Sequence, residues 1–468
     1  MERPGTTSPS AERPRVPPAL LYDGGVSTRY HVAVRRPDDD AVLVLRDGAL
    51  PSFDVDDPPT WQEVGPVVDG MRERHGIGVI ALRACWVTDG AEDRGAARRL
   101  YEVEPIDGRV PKGAGWADPA SIAADDPALA AALAAGTLVP ADGDRQPWYR
   151  PGWFAGMVAW IDERLAEVGL RRRGPVRQSR SWGRSALLTL ETDRGRLWAK
   201  QVPDVFAHEV AVTGLLEDCD PGIVPPVVAA DPDRGRLLLE HVDGQLLATG
   251  GVEPVAWLAT MARLAEIQRV MARDLGALRI AGAPAAPLDV LALAVPALLA
   301  DEDLLLVGRP GGLTRREHAA LMARTDALVG ACRALADASV GPSLDHGDLS
   351  ASQVIVAEMG PVILDWSDAT VTHPFIAAAS FLMDPTDAPV GNDGPITGDL
   401  ATAYLDGWSV GEAAHRPSRL RRELELARTV HPLHMAWLYA TRVLPGLEQR
   451  WEMERMVPWI VRAGILPP

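Results

Sequence analysis

The chain has 468 residues, of which 47% are hydrophobic and 24% are charged, so it can form two or three globular domains with sizeable cores. Its formal net charge of -17 argues against a nucleic-acid binder or a protein of anionic membranes, because both surfaces repel an acidic protein. The cysteines have no CxxC spacing, so they indicate neither a zinc site nor a disulfide framework. Because the sequence shows no signal peptide and no membrane-spanning segment, we expect a reduced, cytoplasmic protein.

Lysine is almost absent from the chain. Of the 47 basic residues only Lys112 and Lys200 are lysines, and the others are arginines. Asparagine occurs once, at Asn392, which is typical of a pressure on coding composition rather than on chemistry. A lysine that persists under such a pressure indicates a position where arginine cannot replace it.

The first part of the chain predicts a tail and a separate domain. Residues 1–19 are rich in Pro, Ser, Thr and Arg and predict a disordered tail. Residues 20–169 predict an α/β domain. In it, residues 30–34 and 41–45 have the character of two paired strands, and residues 63–75 predict a helix.

Residues 153–168 predict an amphipathic helix. Large apolar residues recur on one face at helical spacing: Trp153, Met157, Trp160, Ile161 and Leu165. Such a row is more typical of a core-facing helix than of a cofactor site. We therefore expect these side chains to be buried.

Residues 170–245 predict a strand-rich unit. Residues 186–191 and 196–202 alternate like two strands joined by a turn, and Lys200 lies in the second of them. A helix that carries Glu209 follows. Two further strands are predicted at residues 224–230 and 237–240.

A lysine on a strand and a glutamate on the next helix are well placed to form an ion pair. Such a pair holds the ammonium of Lys200 as a point charge against the phosphates of a nucleotide, a role in which the wide fork of arginine is a poor substitute. The scarcity of lysine favours this interpretation over that of a solvent-exposed strand residue.

Residues 246–468 predict a mostly helical unit. Its helices are expected at residues 257–271, 288–299, 314–336, 396–407, 418–443 and 447–463. Pro432 is expected to break or kink the fifth of these helices. His431 and His434 have no acidic or cysteine partner at ligand spacing, so we interpret them as surface or packing residues rather than metal ligands.

Polar residues surround a predicted β-hairpin in this unit. Two apolar runs, residues 354–356 and 362–364, are expected to pair across Gly360 and Pro361. The polar residues flank these two strands: His346 and Asp348 before the first, Gln353 at its entry and Asp365 after the second. A tight hairpin can bring a base and metal-binding oxygens into one small space, which metal-dependent phosphoryl transfer needs.

The order of these features resembles the aminoglycoside phosphotransferase family. From about residue 175 to the C-terminus the chain has a strand lysine, a helix glutamate, a hinge, His346-Gly347-Asp348 and a terminal Asp365-Trp366. The resemblance implies an α+β, bilobal protein-kinase-like fold. A small β-rich N-lobe (170–245) and a helical C-lobe (246–468) would follow the separate α/β domain.

The resemblance also implies roles for individual residues. Asp348 would be the catalytic base, and His346 would brace its loop. Gln353 and Asp365 would hold Mg²⁺. The remaining candidates would bind ATP or GTP. Lys200 would contact the phosphates, and Glu209 would hold Lys200 in place. A loop of Trp182, Gly183 and Ser185 would cover the nucleotide, and the hinge of Glu240, His241 and Val242 would bind its base.

Two positions depart from the pattern of the family. The second metal ligand of the family, five residues after the catalytic aspartate, is asparagine, whereas this chain has Gln353. Both amides offer a carbonyl oxygen, but glutamine is one methylene longer, and Mg²⁺ requires near-ideal octahedral geometry. The acidic residue that commonly follows the His-Pro of the family is missing after His373-Pro374.

Residues 20–169 also resemble a Nudix-type α/β domain, through a helix that ends in His75-Gly76 and a later Trp116-Ala117-Asp118-Pro119 segment. The helix of that family needs clustered glutamates to bind metal. Here Glu73 is followed by Arg74, whose charge opposes metal binding. We therefore expect a domain of this type without hydrolase activity.

The sequence favours a small-molecule O-phosphotransferase that moves the γ-phosphate of ATP or GTP to a hydroxyl aligned by Asp348. The alternative is a catalytically silent nucleotide-binding protein with an N-terminal binding module, and a third possibility is a Nudix-like hydrolase. The acceptor stays open among aminoglycosides, amino acids, choline-like alcohols and sugars, and the acidic charge is compatible with a cationic one. We expect no nucleic-acid or membrane partner, and the oligomeric state stays open.

Overall fold

The computed structural model describes residues 27–36, 39, 41–88, 97–106, 110–124, 127–138, 145–249, 251–383, 390–391, 394–395, 397–410 and 415–466. The predicted disordered tail, residues 1–19, lies outside them. The chain divides into two compact units. The N-terminal unit comprises Pro18–Asp243 and Gly446–Gln449, and the C-terminal unit comprises Gly244–Pro445 and Arg450–Pro468.

The first sheet of the N-terminal unit is mixed. The strands in this part of the chain are β1 Ser27–Val34, β2 Val42–Val44, β3 Ser52–Asp56, β4 Val79–Thr88, β5 Ala97–Pro105 and β6 Gly115–Ala117. The sheet order is β3-β1-β5-β4, with β1 and β5 parallel and the other neighbours antiparallel. The predicted pairing of residues 30–34 with residues 41–45 is wrong. β3 and β5 pair along β1, and β2 pairs with β6, while among the described residues only Arg35, just after β1, bridges Val42 at the start of β2.

Helices lie between and after these strands along the chain. Helix α1 (Gly65–Gly70) continues into a π-helical turn, Met71–His75, and ends at Gly76, whose φ of 69° is left-handed. Helix α2 spans Pro127–Ala134 and helix α3 spans Trp153–Glu167. The predicted apolar face of α3 is confirmed, because all of its members are buried: Trp153, Met157, Trp160, Ile161 and Leu165.

A second, antiparallel sheet follows in the N-terminal unit. Its strands are β7 Arg177–Trp182, β8 Ser185–Thr192, β9 Gly195–Gln201, β10 Val227–Asp231 and β11 Arg236–Glu240, in the order β10-β11-β9-β8-β7. Alternate residues of β8, among them Leu188 and Leu190, share one apolar core with α3. Helix α4 (His208–Cys219) lies between β9 and β10 in the sequence.

Helices dominate the C-terminal unit. They are α5 Pro254–Arg273, α6 Leu275–Ile280, α7 Leu288–Ala300, α8 Arg315–Met322, α9 Thr325–Ala336, α10 Phe375–Met383, α11 Thr397–Ser409, α12 Pro417–Leu438 and α13 Met456–Gly464. The single helix predicted at residues 314–336 is wrong. The amide of Arg324 bonds to the carbonyl of Leu321, three residues back, and this tighter turn separates α8 from α9.

The C-terminal unit also contains short strands. They are β12 Gln245–Leu246, β13 Ser343–Asp345, β14 Val354–Ala357, β15 Gly360–Ile363, β16 Thr370–Thr372, β17 Val390–Gly391 and β18 Gly394–Pro395. Strands β12, β14 and β15 form a sheet in this order, and β13 pairs with β16. The predicted hairpin is confirmed as β14 and β15, but Gly360 and Pro361 belong to β15 rather than to its turn. Proline is tolerated there because β15 lies at the edge of the sheet.

The predicted α+β class is confirmed. The four- and five-stranded sheets belong to the N-terminal unit, and helices form most of the C-terminal unit. Within the described residues, no helix combines the length and the apolar character that a membrane span needs.

Candidate active site

The sharp turn His346-Gly347-Asp348 leaves β13, which pairs with β16. Gly347 has a φ of 83°, in the left-handed region. A Cβ atom at this position would lie 2.2 Å from the backbone oxygen of Asp368, closer than any real Cβ contact. A residue with a side chain therefore does not fit at position 347, and the turn fixes where Asp348 begins.

His346 connects this turn to the end of β15. Its ring is fully buried, and its Nε2 atom lies 2.9 Å from the carbonyl oxygen of Leu364. Its Nδ1 atom accepts a longer hydrogen bond, 3.4 Å, from the amide of Asp348. These bonds correspond to the neutral tautomer with the proton on Nε2. The ring also packs against Trp366, with centroids 4.7 Å apart.

The two candidate metal ligands start from neighbouring backbone positions. The amide of Leu364 donates a 2.8 Å hydrogen bond to the carbonyl of Gln353, which places Asp365 beside Gln353 at the end of the hairpin. Asp365 is exposed and left-handed, with a φ of 59°, an uncommon conformation for a residue with a side chain. Its Oδ1 atom accepts a 2.8 Å hydrogen bond from the hydroxyl of Ser367.

This donor set fits Mg²⁺ in kind. A carboxylate and an amide carbonyl are hard oxygen ligands, and Mg²⁺ is commonly held by one or two protein oxygens together with the phosphates of a substrate. Gln353 is partly exposed and Asp365 is exposed, so both side chains are accessible. Among the described residues, no cluster of three His, Cys, Asp or Glu side chains offers a metal site of another kind.

The predicted ion pair is present in the N-terminal unit. The Nζ atom of Lys200 lies 2.6 Å from Oε1 of Glu209, and their side chains are 13% and 3% exposed. Lys200 lies on β9, between β8 and β11, so its backbone is held on both sides. A short, charge-assisted hydrogen bond of this kind holds the ammonium in one place.

The predicted covering loop is the turn between β7 and β8. Residues 183–184 form a two-residue turn, and Nε1 of Trp182 donates a 3.1 Å hydrogen bond to the hydroxyl of Ser185 across it. The guanidinium of Arg184 lies over the rings of Trp182 and Phe206, 5.6 and 4.9 Å from their centroids. Gly183 is buried in this turn.

The predicted hinge follows β11. The amides of Glu240 and His241 donate to the carbonyls of Pro226 and Arg196, at 2.9 and 3.1 Å. The Nδ1 atom of His241 accepts a 3.1 Å hydrogen bond from Nε1 of Trp198. The protein thus uses two amides of the hinge for its own structure, while Val242 follows them as coil.

The structure places the candidates in two groups. Those expected to bind the nucleotide lie in the N-terminal unit: Lys200, Glu209, Trp182, Gly183, Ser185, Glu240, His241 and Val242. Those expected to carry out the transfer lie in the C-terminal unit: His346, Asp348, Gln353 and Asp365.

Sequence reasoning missed Asp345, which immediately precedes His346. Its side chain is completely buried, and burial raises its pKa to about 7, helped by the nearby charge of Asp368. The carboxyl is therefore partly protonated near neutral pH. Only one apolar residue, Leu344, stands between Ser343 and Asp345, so no local sequence pattern marks this carboxyl as buried.

His373, which belongs to the His-Pro segment, is also buried. Burial lowers the pKa of its imidazole to about 4, although the charge of Glu423 opposes the shift. Its Nδ1 atom accepts a 3.2 Å hydrogen bond from the amide of Phe375. A neutral, hydrogen-bonded ring at the start of α10 supports the local structure without an acidic residue after it.

Comparison with known proteins gives one family. The model of the phosphotransferase enzyme family (APH) matches residues 179–420, which include every candidate residue. The resemblance to this family is therefore confirmed. The match does not extend to residues 20–169, and the Nudix-type resemblance there is not confirmed. No curated protein matches the chain.

Several solved structures are similar to about two-thirds of this chain. A GDP complex of wild-type aminoglycoside 2'-phosphotransferase-IIIa is 16% identical, with a TM-score of 0.46, over 66% of this chain and 98% of that one. A macrolide 2'-phosphotransferase type I is 17% identical, with a TM-score of 0.42, over 66% and 97%. The choline kinase LicA from Streptococcus pneumoniae is 14% identical, with a TM-score of 0.43, over 66% and 98%.

Proposed function

Because the chain belongs to the phosphotransferase enzyme family, we propose that it moves the γ-phosphate of ATP or GTP to a hydroxyl group of a small molecule. The observation that carries this proposal is the ion pair between Lys200 and Glu209, whose atoms lie 2.6 Å apart. Lysine is one of the rarest residues of the chain, and one of its two copies is held by a buried carboxylate on the helix after its strand. A fixed ammonium of this kind suits the phosphates of a nucleotide.

In this proposal Asp348 is the catalytic base. Its carboxylate aligns the acceptor hydroxyl and accepts its proton as the oxygen attacks the γ-phosphorus, while the bond from the γ-phosphorus to the bridging oxygen breaks and ADP or GDP leaves. Asp348 is partly exposed, as a group that meets a substrate must be. His346 acts through it as a positioning residue, because its ring links the amide of Asp348 to the carbonyl of Leu364.

Gln353 and Asp365 would hold Mg²⁺, which when bound neutralises charge on the phosphates of the nucleotide. Their common position at the end of the β14–β15 hairpin supports this assignment, since the hydrogen bond between Leu364 and Gln353 fixes the two backbones together. The left-handed backbone of Asp365 and its bond from Ser367 orient the carboxylate.

The turn at Trp182, Gly183 and Ser185 would cover the nucleotide, and the hinge of Glu240, His241 and Val242 would bind its base. The short turn between β7 and β8 supports the first role. The backbone of Val242, which follows the two amides already used by the sheet, is the hinge position best suited to contact a base.

The acceptor belongs to a class rather than to one compound. The structures similar to this chain are named for phosphorylation of aminoglycosides, macrolides and choline, all of which carry hydroxyl groups. The net charge of -17 favours a cationic acceptor among them, because an acidic protein attracts cations.

A library of hydroxyl acceptors, incubated with the protein, Mg²⁺ and either ATP or GTP, tests the proposal. We expect release of ADP or GDP above the rate of nucleotide hydrolysis with one class of acceptor. Binding of the nucleotide without transfer to any acceptor would favour the second candidate, a catalytically silent nucleotide-binding protein, which Gln353 at the asparagine position of the family supports.

A further inference from the structure

The strands β7 and β4 lie side by side in the N-terminal unit and are linked by polar side chains. The side-chain amide of Gln178 donates to the carbonyl of Ala81 at 2.7 Å and accepts from the amide of the same residue at 2.9 Å. The hydroxyl of Ser181 donates to the carbonyl of Leu82 at 2.8 Å. The strand that leads into the predicted nucleotide turn is therefore anchored to the first sheet.

The segment before α1 contacts the same strand. The amide of Ser181 donates to the carbonyl of Gln62 at 3.0 Å, and the amide of Val64 donates to the carbonyl of Ser179 at 3.1 Å. Between these bonds, the carboxylate of Glu63 forms an ion pair with Arg180 at 2.7 Å. Residues 62–64 thus lie beside β7 and bond to it in the manner of a short edge strand.

Two tryptophans of the first part of the chain reach the turn itself. Nε1 of Trp148 donates a 2.9 Å hydrogen bond to the backbone carbonyl of Trp182, the residue that enters the turn. The ring of Trp61 meets the ring of Trp182 edge to face, with centroids 6.3 Å apart. Trp148 is completely buried and Trp61 is 4% exposed, so both are rigid contacts.

We propose that these contacts form a clamp, residues 61–64 with Ala81, Leu82 and Trp148, that positions the β7–β8 turn for the nucleotide. The inference rests on the proposed function. A covering loop that is free before binding must be ordered at a cost in affinity, whereas a turn that is already held binds without this cost. The clamp gives residues 20–169 a role in nucleotide binding that needs no catalysis of their own.

The substitution Trp148→Phe tests the clamp. It keeps most of the ring and removes the N–H that bonds to Trp182. We expect the KM for the nucleotide to rise about two- to tenfold, the range of one lost hydrogen bond, while the KM for the acceptor stays unchanged. Glu63→Arg is an independent variant on a partly exposed side chain, in which a like charge faces Arg180, and its nucleotide KM should also rise at least about twofold.

The matched control is Trp116→Phe. Trp116 lies on β6 against the guanidinium of Arg36, outside the clamp, so its loss should leave the nucleotide KM as in the wild type. Two results would contradict the clamp. In the first, folded Glu63→Arg keeps the wild-type nucleotide KM, and so does Trp148→Phe if it folds. In the second, the acceptor KM rises as much as the nucleotide KM. A wild-type protein that is not stabilised by ATP or GTP in thermal unfolding overturns the proposed function, and the clamp with it.

Discussion

In the proposed metal site, Gln353 stands where the family has asparagine, and its side chain is one methylene longer. Its backbone carbonyl is fixed by the amide of Leu364, so the side chain starts from a defined point beside Asp365. In the proposed site its oxygen would reach Mg²⁺ through one more methylene than asparagine has, and Mg²⁺ accepts only near-ideal octahedral geometry. The efficiency of the proposed transfer therefore depends on Gln353.

The substitution Gln353→Ala removes the amide oxygen and should raise the Mg²⁺ concentration needed for half-maximal stabilisation by ATP by about tenfold or more. Gln353→Asn keeps a carbonyl oxygen and should need no more Mg²⁺ than the wild type. The measurement is thermal unfolding with ATP across a Mg²⁺ titration, and Ser352→Ala, at an exposed neighbour, is the control. An unchanged Mg²⁺ requirement in Gln353→Ala would remove this residue from the metal site.

The ion pair of Lys200 and Glu209 could be predicted because it joins a strand to the next helix, and such local connections are encoded in residue order. The motif around His346 and Asp348 could be found for the same reason. The buried carboxyl of Asp345 and the contact of Trp148 with Trp182 could not, because they depend on segments that come together only in the folded chain.

Helix α12 shows how burial overrides a local signal. Pro432 lies inside it, yet the helix continues to Leu438, because Val430, Leu433 and Ala436 on both sides of the proline are buried. The helix is therefore not broken at Pro432, and a kink there, the other expectation, stays a prediction. His431 and His434 are packing residues, 7% and 0% exposed, which excludes the surface alternative.

These histidines make the stability of α12 depend on pH. Burial lowers the pKa of His431 to about 4 and that of His434 to about 3, and for His434 the charge of His431 adds to the shift. An unfolded histidine has a pKa of about 6.5 and binds a proton that the folded one does not. The free energy of unfolding should thus fall as the pH drops below about 6.5, by up to about 1.4 kcal/mol per pH unit for each histidine.

The substitution His434→Phe tests this dependence. Within the described residues neither ring nitrogen of His434 has a hydrogen-bond partner, so phenylalanine can replace it without leaving a polar group unpaired. Urea unfolding between pH 7.5 and pH 5 should show a smaller loss of stability for the variant than for the wild type. Equal slopes would mean that His434 is protonated in the folded protein.

Other elements also differ in whether the local sequence predicts them. The strands β8 and β9 and the helix α3 could be predicted because their period is visible in the sequence. The split of α8 from α9 depends on a hydrogen bond from Arg324 to a residue three, rather than four, positions back. The partner of β2 depends on which edges β1 leaves open. Neither is a property of the local sequence.

On the scale of the whole molecule, the proposed work is divided between two units. The residues expected to hold the nucleotide belong to the N-terminal unit, and those expected to act on the acceptor belong to the C-terminal unit. The separate domain predicted at residues 20–169 remains a prediction. Helix α3 nevertheless shares its core with the second sheet, a partner that the amphipathic pattern of the helix alone could not identify.

This division makes Asp348→Ala the most direct test of the central claim. The variant should lose about 10²–10⁴-fold in phosphate transfer to the acceptor found in the library, because it lacks the base, while its affinity for ATP or GTP stays nearly unchanged. Asp337→Ala, at an exposed aspartate after α9, should behave as the wild type. Transfer that survives in Asp348→Ala at the wild-type rate would contradict the account.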